Sequence, residues 1–248
     1  FGARVRIRSD EAAGTAVSGA RVYARSGGLT VAVGNILGAI DTMPGLYGPS
    51  VGLTGLSWGG LVANVDRGAA GSISPSFFDW DSFSSRGNGA EGIEVIYSMG
   101  AFWGHLSYSS AKLGNTAGAK MFAAHGAYTF SGWTVALGVQ DSSVDSADKV
   151  IVTVGGKIGD FGVGFGYARN GKGVTKVNKF AINGSYTMGA TTISGYVANQ
   201  SVLPVATGTK TSYGIGASYN MGGGARLIGG IERTTRKTTR ADVGVSFI

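Results

Sequence analysis

The chain has 248 residues, of which 43% are hydrophobic and only 14% charged, with 45 glycines, 4 prolines, no cysteine and a formal net charge of +7. Ordinary globular chains carry about a quarter charged residues, so this composition excludes a comfortable soluble surface, and the missing cysteines exclude disulfide frameworks, thiolate metal sites and thiol nucleophiles. No stretch approaches the ~20 consecutive apolar residues of a membrane-crossing helix. A mean hydropathy of +0.15 instead fits a closed transmembrane β-barrel, whose strands alternate lipid-facing and lumen-facing side chains.

The elements, taken in chain order, support that class. No signal peptide is visible at Phe1, and the chain opens inside an alternating strand, so it reads as a mature protein that also lacks an N-terminal piece. Arg4, Arg6 and Arg8 alternate with Val5 and Ile7, which puts three guanidinium groups on one face. Arg21 and Arg25 repeat that phase around Val22 and Ala24. An arginine facing the lipid midplane costs ~2–4 kcal/mol, so these five are expected to face the lumen. The plainer alternative is that some only form salt bridges inside the barrel.

Period-two stripes then recur to the end: Leu29, Val31, Val33; Ile93, Val95, Tyr97; Trp133, Val135, Leu137, Val139; Phe161, Val163, Phe165, Tyr167; Phe180, Ile182, Gly184, Tyr186; Tyr213, Ile215, Ala217, Tyr219; and Ala241, Val243, Val245, Phe247. Alternate positions are small or polar, as at Glu94, Ser98, Thr134, Thr153, Ser212, Ser218 and Asp242, which suits a wet interior. The pattern predicts about 14 strands in an all-β, antiparallel up-and-down barrel, a single domain over residues 1–248.

Tight turns are predicted near Ser26-Gly27, Met99-Gly100, Ser131-Gly132, Gly159-Asp160, Met188-Gly189 and Met221-Gly222. Longer polar loops are predicted over Ser9–Ala16, Ala111–Gly118, Asp141–Ala147, Asn170–Thr175, Ser201–Thr209 and Arg233–Thr239. This alternation matches the short periplasmic turns and long extracellular loops of outer-membrane barrels. Tyr97, Phe102, Phe130, Trp133, Phe161, Tyr186, Tyr219 and Phe247 cluster beside the tight turns, as an aromatic girdle at one membrane interface would. One connection, residues 35–90, is far longer than ordinary loops and is expected to be functional, folding into the barrel and narrowing it. It carries the acids Asp41, Asp66, Asp79 and Asp81.

Other chemistries find little support. Gly162, Gly164 and Gly166 superficially have phosphate-loop spacing but lie inside an alternating strand with no helix after them. His105 and His125 are the only histidines and lack metal-ligand spacing, so they are read as satisfied strand histidines; no metal, cofactor or catalytic residue is expected. Basic residues are scattered along the chain, which argues against nucleic acid as a partner. The basic run Arg233 to Arg240 is read as a solvated outer loop, or alternatively as a contact with anionic lipopolysaccharide.

The terminal segments "SYGIGASYNMGGGARLIGGI" and "ADVGVSFI" resemble the last strands of the general diffusion porins of purple non-sulfur bacteria such as Rhodobacter. More weakly, "LTVAVGNILG" resembles the family's fifth strand leading into its long third loop, and "YSMGAFWGHLSYS" the hairpin after it. The resemblance implies a barrel of about 16 strands assembled as a homotrimer in the bacterial outer membrane, in contact with lipid and lipopolysaccharide and passing small hydrophilic solutes and ions. Phe1–Arg8 would then correspond to the third strand, with two strands missing before it; Ile248 after Phe247 departs from the family's aromatic terminus. The resemblance further implies a basic wall, Arg4, Arg6, Arg8, Arg21 and Arg25, facing the loop acids Asp41, Asp66, Asp79 and Asp81 across the constriction. Two alternatives stay open: an anion-leaning, substrate-selective channel, or a plugged structural or adhesive surface barrel.

Overall fold

The computed structural model describes residues 1–5, 7–10, 14–17, 19–48, 51–52, 64–67, 73–76, 92–113, 116–143, 145–173, 176–203 and 207–247. Its strands are β1 (Gly2–Arg4), β2 (Ile7–Asp10), β3 (Gly14–Val17), β4 (Arg21–Ser26), β5 (Leu29–Gly34), β6 (Asn64–Arg67), β7 (Ile73–Ser76), β8 (Gly92–Met99) and β9 (Phe102–Leu113). Then come β10 (Thr116–Phe130), β11 (Trp133–Ser142), β12 (Lys149–Ile158), β13 (Phe161–Asn170), β14 (Val177–Met188), β15 (Thr191–Gln200), β16 (Thr211–Gly222), β17 (Ala225–Arg233) and β18 (Thr239–Phe247). A 3-10 turn, Asp145–Ala147, lies between β11 and β12.

Fourteen strands form one sheet in the order β1-β4-β5-β8 and then consecutively to β18, every neighbouring pair antiparallel. This is the up-and-down meander that the period-two pattern predicts. Two short hairpins, β2-β3 and β6-β7, stand apart from it. The expected stripes all lie on the outer face: Leu29, Val31 and Val33, for example, are exposed, and so are Phe161, Val163, Phe165 and Tyr167. β-branched and aromatic side chains suit such a surface because they pack side by side on the pleat.

All six tight turns fall where the sequence puts them. At Ser131-Gly132 both residues have positive φ, 46° and 79°, the geometry whose twist matches a two-residue hairpin. Two of the predicted long loops are largely ladder instead: β2 pairs with β3 through Ser9 and Asp10, and β9 pairs with β10 as far as Leu113 opposite Thr116. Small and polar residues there keep their backbone hydrogen bonds as a paired ribbon beyond the lipid, which periodicity alone does not reveal.

The outer face carries aromatics at both ends. Beside the tight turns, Phe161 stacks on Tyr186 with ring centroids 4.4 Å apart, and Tyr128 on Phe130 at 6.3 Å. A second belt, not anticipated from the sequence, lies six or more residues away: Tyr108 faces Phe122 and Tyr167 faces Phe180 across the ladder, with Tyr213 further round. Six residues span roughly 20 Å along a strand, and mostly aliphatic side chains fill the band between, as a membrane-spanning wall requires.

Candidate functional site: the inner wall

The inner face is polar, and the chain leaving β5 runs along it. Buried apolar residues of this segment, Ala39, Ile40, Met43, Leu46 and Val51, pack on small inward residues of the wall, including Ala123, Ala136, Ala168, Ala181 and Ala198. Alanine at these inward positions leaves room for a layer of chain that larger side chains would exclude.

Polar side chains fix the near end of the segment. The backbone nitrogen of Ala39 donates to Ser107 Oγ at 2.8 Å, and its carbonyl accepts from His125 Nδ1 at 2.5 Å. His105 lies directly opposite His125 in the β9-β10 ladder, with ring centroids 5.6 Å apart. Its Nε2 faces Glu94 Oε2 at 3.1 Å and its Nδ1 the Thr42 hydroxyl at 2.6 Å. The ring thus bridges the Glu94 carboxylate and the Thr42 hydroxyl, linking the wall to the seated segment. Further along, Thr153 Oγ1 donates to the Pro44 carbonyl at 2.7 Å. The far end is held differently: a Cβ on Gly216 or Gly230 would lie 1.8 or 1.6 Å from the Val51 carbonyl oxygen, so only glycine permits that approach.

Arg21 lies at the origin of this layer, opposite Gly34 in the β4-β5 ladder. Arg21 is buried, and its Nε donates to Glu94 Oε1 at 2.5 Å. The acid that meets Arg21 is thus a wall residue on β8, which the alternation marked as inward-facing but did not pair. Arg4 stands opposite Arg21 in the β1-β4 register and is exposed; Arg25, also exposed, has its guanidinium 4.7 Å from the Tyr23 ring centroid, with Arg21 5.3 Å from the same ring. The predicted run through Arg4, Arg6 and Arg8 is not one ladder: β1 pairs with β4, while β2 pairs with β3 in a register offset by one residue. Arg8 lies in β2, and Arg6 is outside the described residues.

Among the loop acids, Asp41 sits on the seated segment and accepts the Tyr47 hydroxyl at 2.6 Å. Asp66 lies in β6, and Asp79 and Asp81 fall outside the described residues. Sequence reasoning missed two buried inward lysines, Lys149 and Lys179, at the long-loop ends of β12 and β14, and the carboxylate Glu232, which accepts the Tyr196 hydroxyl at 2.7 Å and faces Arg240 at 3.4 Å. Their strand phase was the available signal.

An apolar, aromatic-flanked outer face around a polar interior defines a transmembrane β-barrel channel. The family model for Gram-negative porins matches residues 1–239, and the chain belongs to that family. It is 29% identical to a porin of Fuscovulum blasticum, over all of this chain and 83% of that one, and 30% identical to a porin of Rhodobacter capsulatus, over all of this chain and 86% of that one. A triple mutant of the Rhodopseudomonas blastica porin superposes with a TM-score of 0.78 at 27% identity, covering 99% of this chain and 83% of that one. A further mutant of that porin, with four charged residues replaced by alanine, gives 0.78 at 26% identity over 99% and 83%. The protein is an outer-membrane channel for passive diffusion of small hydrophilic solutes, not an enzyme.

Proposed function

We propose that the connection over residues 35–90 narrows this diffusion channel, and that the basic wall Arg4, Arg6, Arg8, Arg21 and Arg25 faces the acids Asp41, Asp66, Asp79 and Asp81 across the narrowing. The transverse field orients dipolar solutes and slows apolar ones. The observation that carries the reading is that Arg4 stands opposite Arg21, and that Arg21 and Arg25 flank the Tyr23 ring, on the face that also bears the seated segment with Asp41.

The pore leans toward anions. Glu94 is engaged by Arg21 and Glu232 by Arg240, while Arg4 and Arg25 stay exposed. The working unit is a homotrimer, and its surroundings include lipopolysaccharide, attracted by the basic run from Arg233 to Arg240.

Reversal potentials in planar bilayers under a salt gradient test the selectivity. Wild type favours anions, and the double variant Arg4→Ser with Arg25→Ser moves the potential toward the cation side at unchanged oligomeric state. Cation preference in wild type, or a potential indifferent to both replacements, overturns the basic wall as the selecting element.

A further inference from the structure

The outer face of β14 to β17 holds a groove that the channel itself does not use. Ladder pairing aligns Ile182, Val197, Tyr213 and Arg233 in one outward row and Gly184, Gly195, Ile215 and Ile231 in the next. Two adjacent glycines leave the second row without side chains where its neighbours carry isoleucine, and the resulting groove of about 930 Å³ is almost wholly apolar. Arg233 closes its long-loop end. That guanidinium donates to the neutral Thr239 hydroxyl at 2.7 Å, and among the described residues no carboxylate lies within ion-pair distance of it.

Charge above the groove is of one sign. Residues 201–211 and 233–239, the two long loops over this sector, contain Lys210, Arg233, Arg236 and Lys237 and no acid. The loops are joined to each other, the Thr209 nitrogen donating to the Thr235 carbonyl at 2.7 Å. We propose that the groove is a binding site for one phosphate-bearing, multiply acylated glycolipid of the outer leaflet, with an acyl chain lying over Gly184 and Gly195 and a phosphate on Arg233. This deepens, and rests on, the reading that the outer loops meet lipopolysaccharide.

The groove complements such a lipid at both ends. A hydrocarbon chain fills an apolar groove open to the bilayer, and a cation at the outer interface gains most from an anion that cannot diffuse away. A second copy of the chain is the poorer occupant, because it brings the same cationic loops to the same membrane level.

The test uses the purified full chain in detergent, with bis-phosphorylated hexa-acyl lipid A as the probe and native mass spectrometry as the readout. Gly184→Leu fills the groove cheaply, since a Cβ there meets only the Gly162 carbonyl oxygen, at 3.6 Å. Arg233→Ser removes the phosphate contact. Each variant is expected to retain lipid A at least tenfold less well than wild type, and dephosphorylated lipid A to behave on wild type as lipid A does on Arg233→Ser. Equal retention by wild type and both variants overturns the site. A Gly184→Leu protein that loses its oligomeric state overturns it in favour of a copy-to-copy contact. Conductance is read in parallel: variants that lose lipid but conduct normally support the site, whereas a wild type without conductance sinks the channel reading independently of the lipid result.

Discussion

The two ends of the segment seated on the inner wall are held by opposite means. Around Ala39 and Thr42 the wall extends polar side chains, Ser107, His105 and His125, that answer backbone and hydroxyl groups one by one. At Val51 the wall withdraws its side chains altogether, and Gly216 and Gly230 let two backbones touch. A barrel can therefore fix an internal layer through hydrogen-bond partners or through absent Cβ atoms. The two are expected to fail differently: loss of a partner leaves a buried polar group unsatisfied, whereas gain of a side chain displaces the chain itself.

The largest effect belongs to the ion pair beneath the polar end. Arg21→Met leaves Glu94 buried beside His105 and is expected to lower unfolding stability by about 3–5 kcal/mol, by denaturant titration in detergent, with Glu94→Gln recovering part of the loss. Gly230→Val is expected next, costing about 1–3 kcal/mol and making residues near Val51 accessible to protease. The outward Gly184→Ala serves as its control and does neither. His125→Leu strands the Ala39 carbonyl and should cost about 1–3 kcal/mol in the same titration. Thr153→Val, which removes one hydroxyl from the Pro44 carbonyl, should cost about 1 kcal/mol.

The smallest effect lies outside the wall, at Lys172, whose ammonium sits 2.8 Å from Asp148 and 3.4 Å from Asp145. The hydrogen bond to Asp148, more than any other contact, raises its pKa above the ordinary 10.5. A raised pKa means that the stabilisation is fully present below 10.5 and lost as pH climbs through the higher value. Melting of wild type and Lys172→Ala should therefore differ slightly at pH 8 and converge in strong alkali; a difference that grows with pH would contradict the pairing. Exposure keeps this cluster weak compared with Arg21 and Glu94.

Much of the barrel was legible because lipid on one side and water on the other impose strict alternation. Phe161 to Tyr167 and Ala241 to Phe247 therefore announced both their strand and their face. The Ser131-Gly132 turn was equally plain, since few residues accept positive φ twice in succession. The continuation of β9 and β10 beyond the membrane was not, because paired ribbon and open loop share a polar composition once lipid no longer selects the outer face. At the site, Arg4, Arg21 and Arg25 could be assigned to the interior by cost alone. Their partners could not, because the carboxylate that meets Arg21 lies 73 positions away on β8, and nothing local distinguishes Glu94 from any other inward polar residue. Gly216 and Gly230 were equally silent in a chain with 45 glycines.

The most direct test of the account is whether the channel conducts while the segment stays on the wall. The chain has no cysteine of its own, so Ala39→Cys with Ser107→Cys, positions joined by a 2.8 Å hydrogen bond, gives a single designed disulfide to be formed and reduced during bilayer recording. The bond is expected to form on mild oxidation and to leave single-channel conductance at the wild-type value. Failure to form the bond, or conductance that rises or collapses when it closes, would contradict a seated segment as part of the open pore.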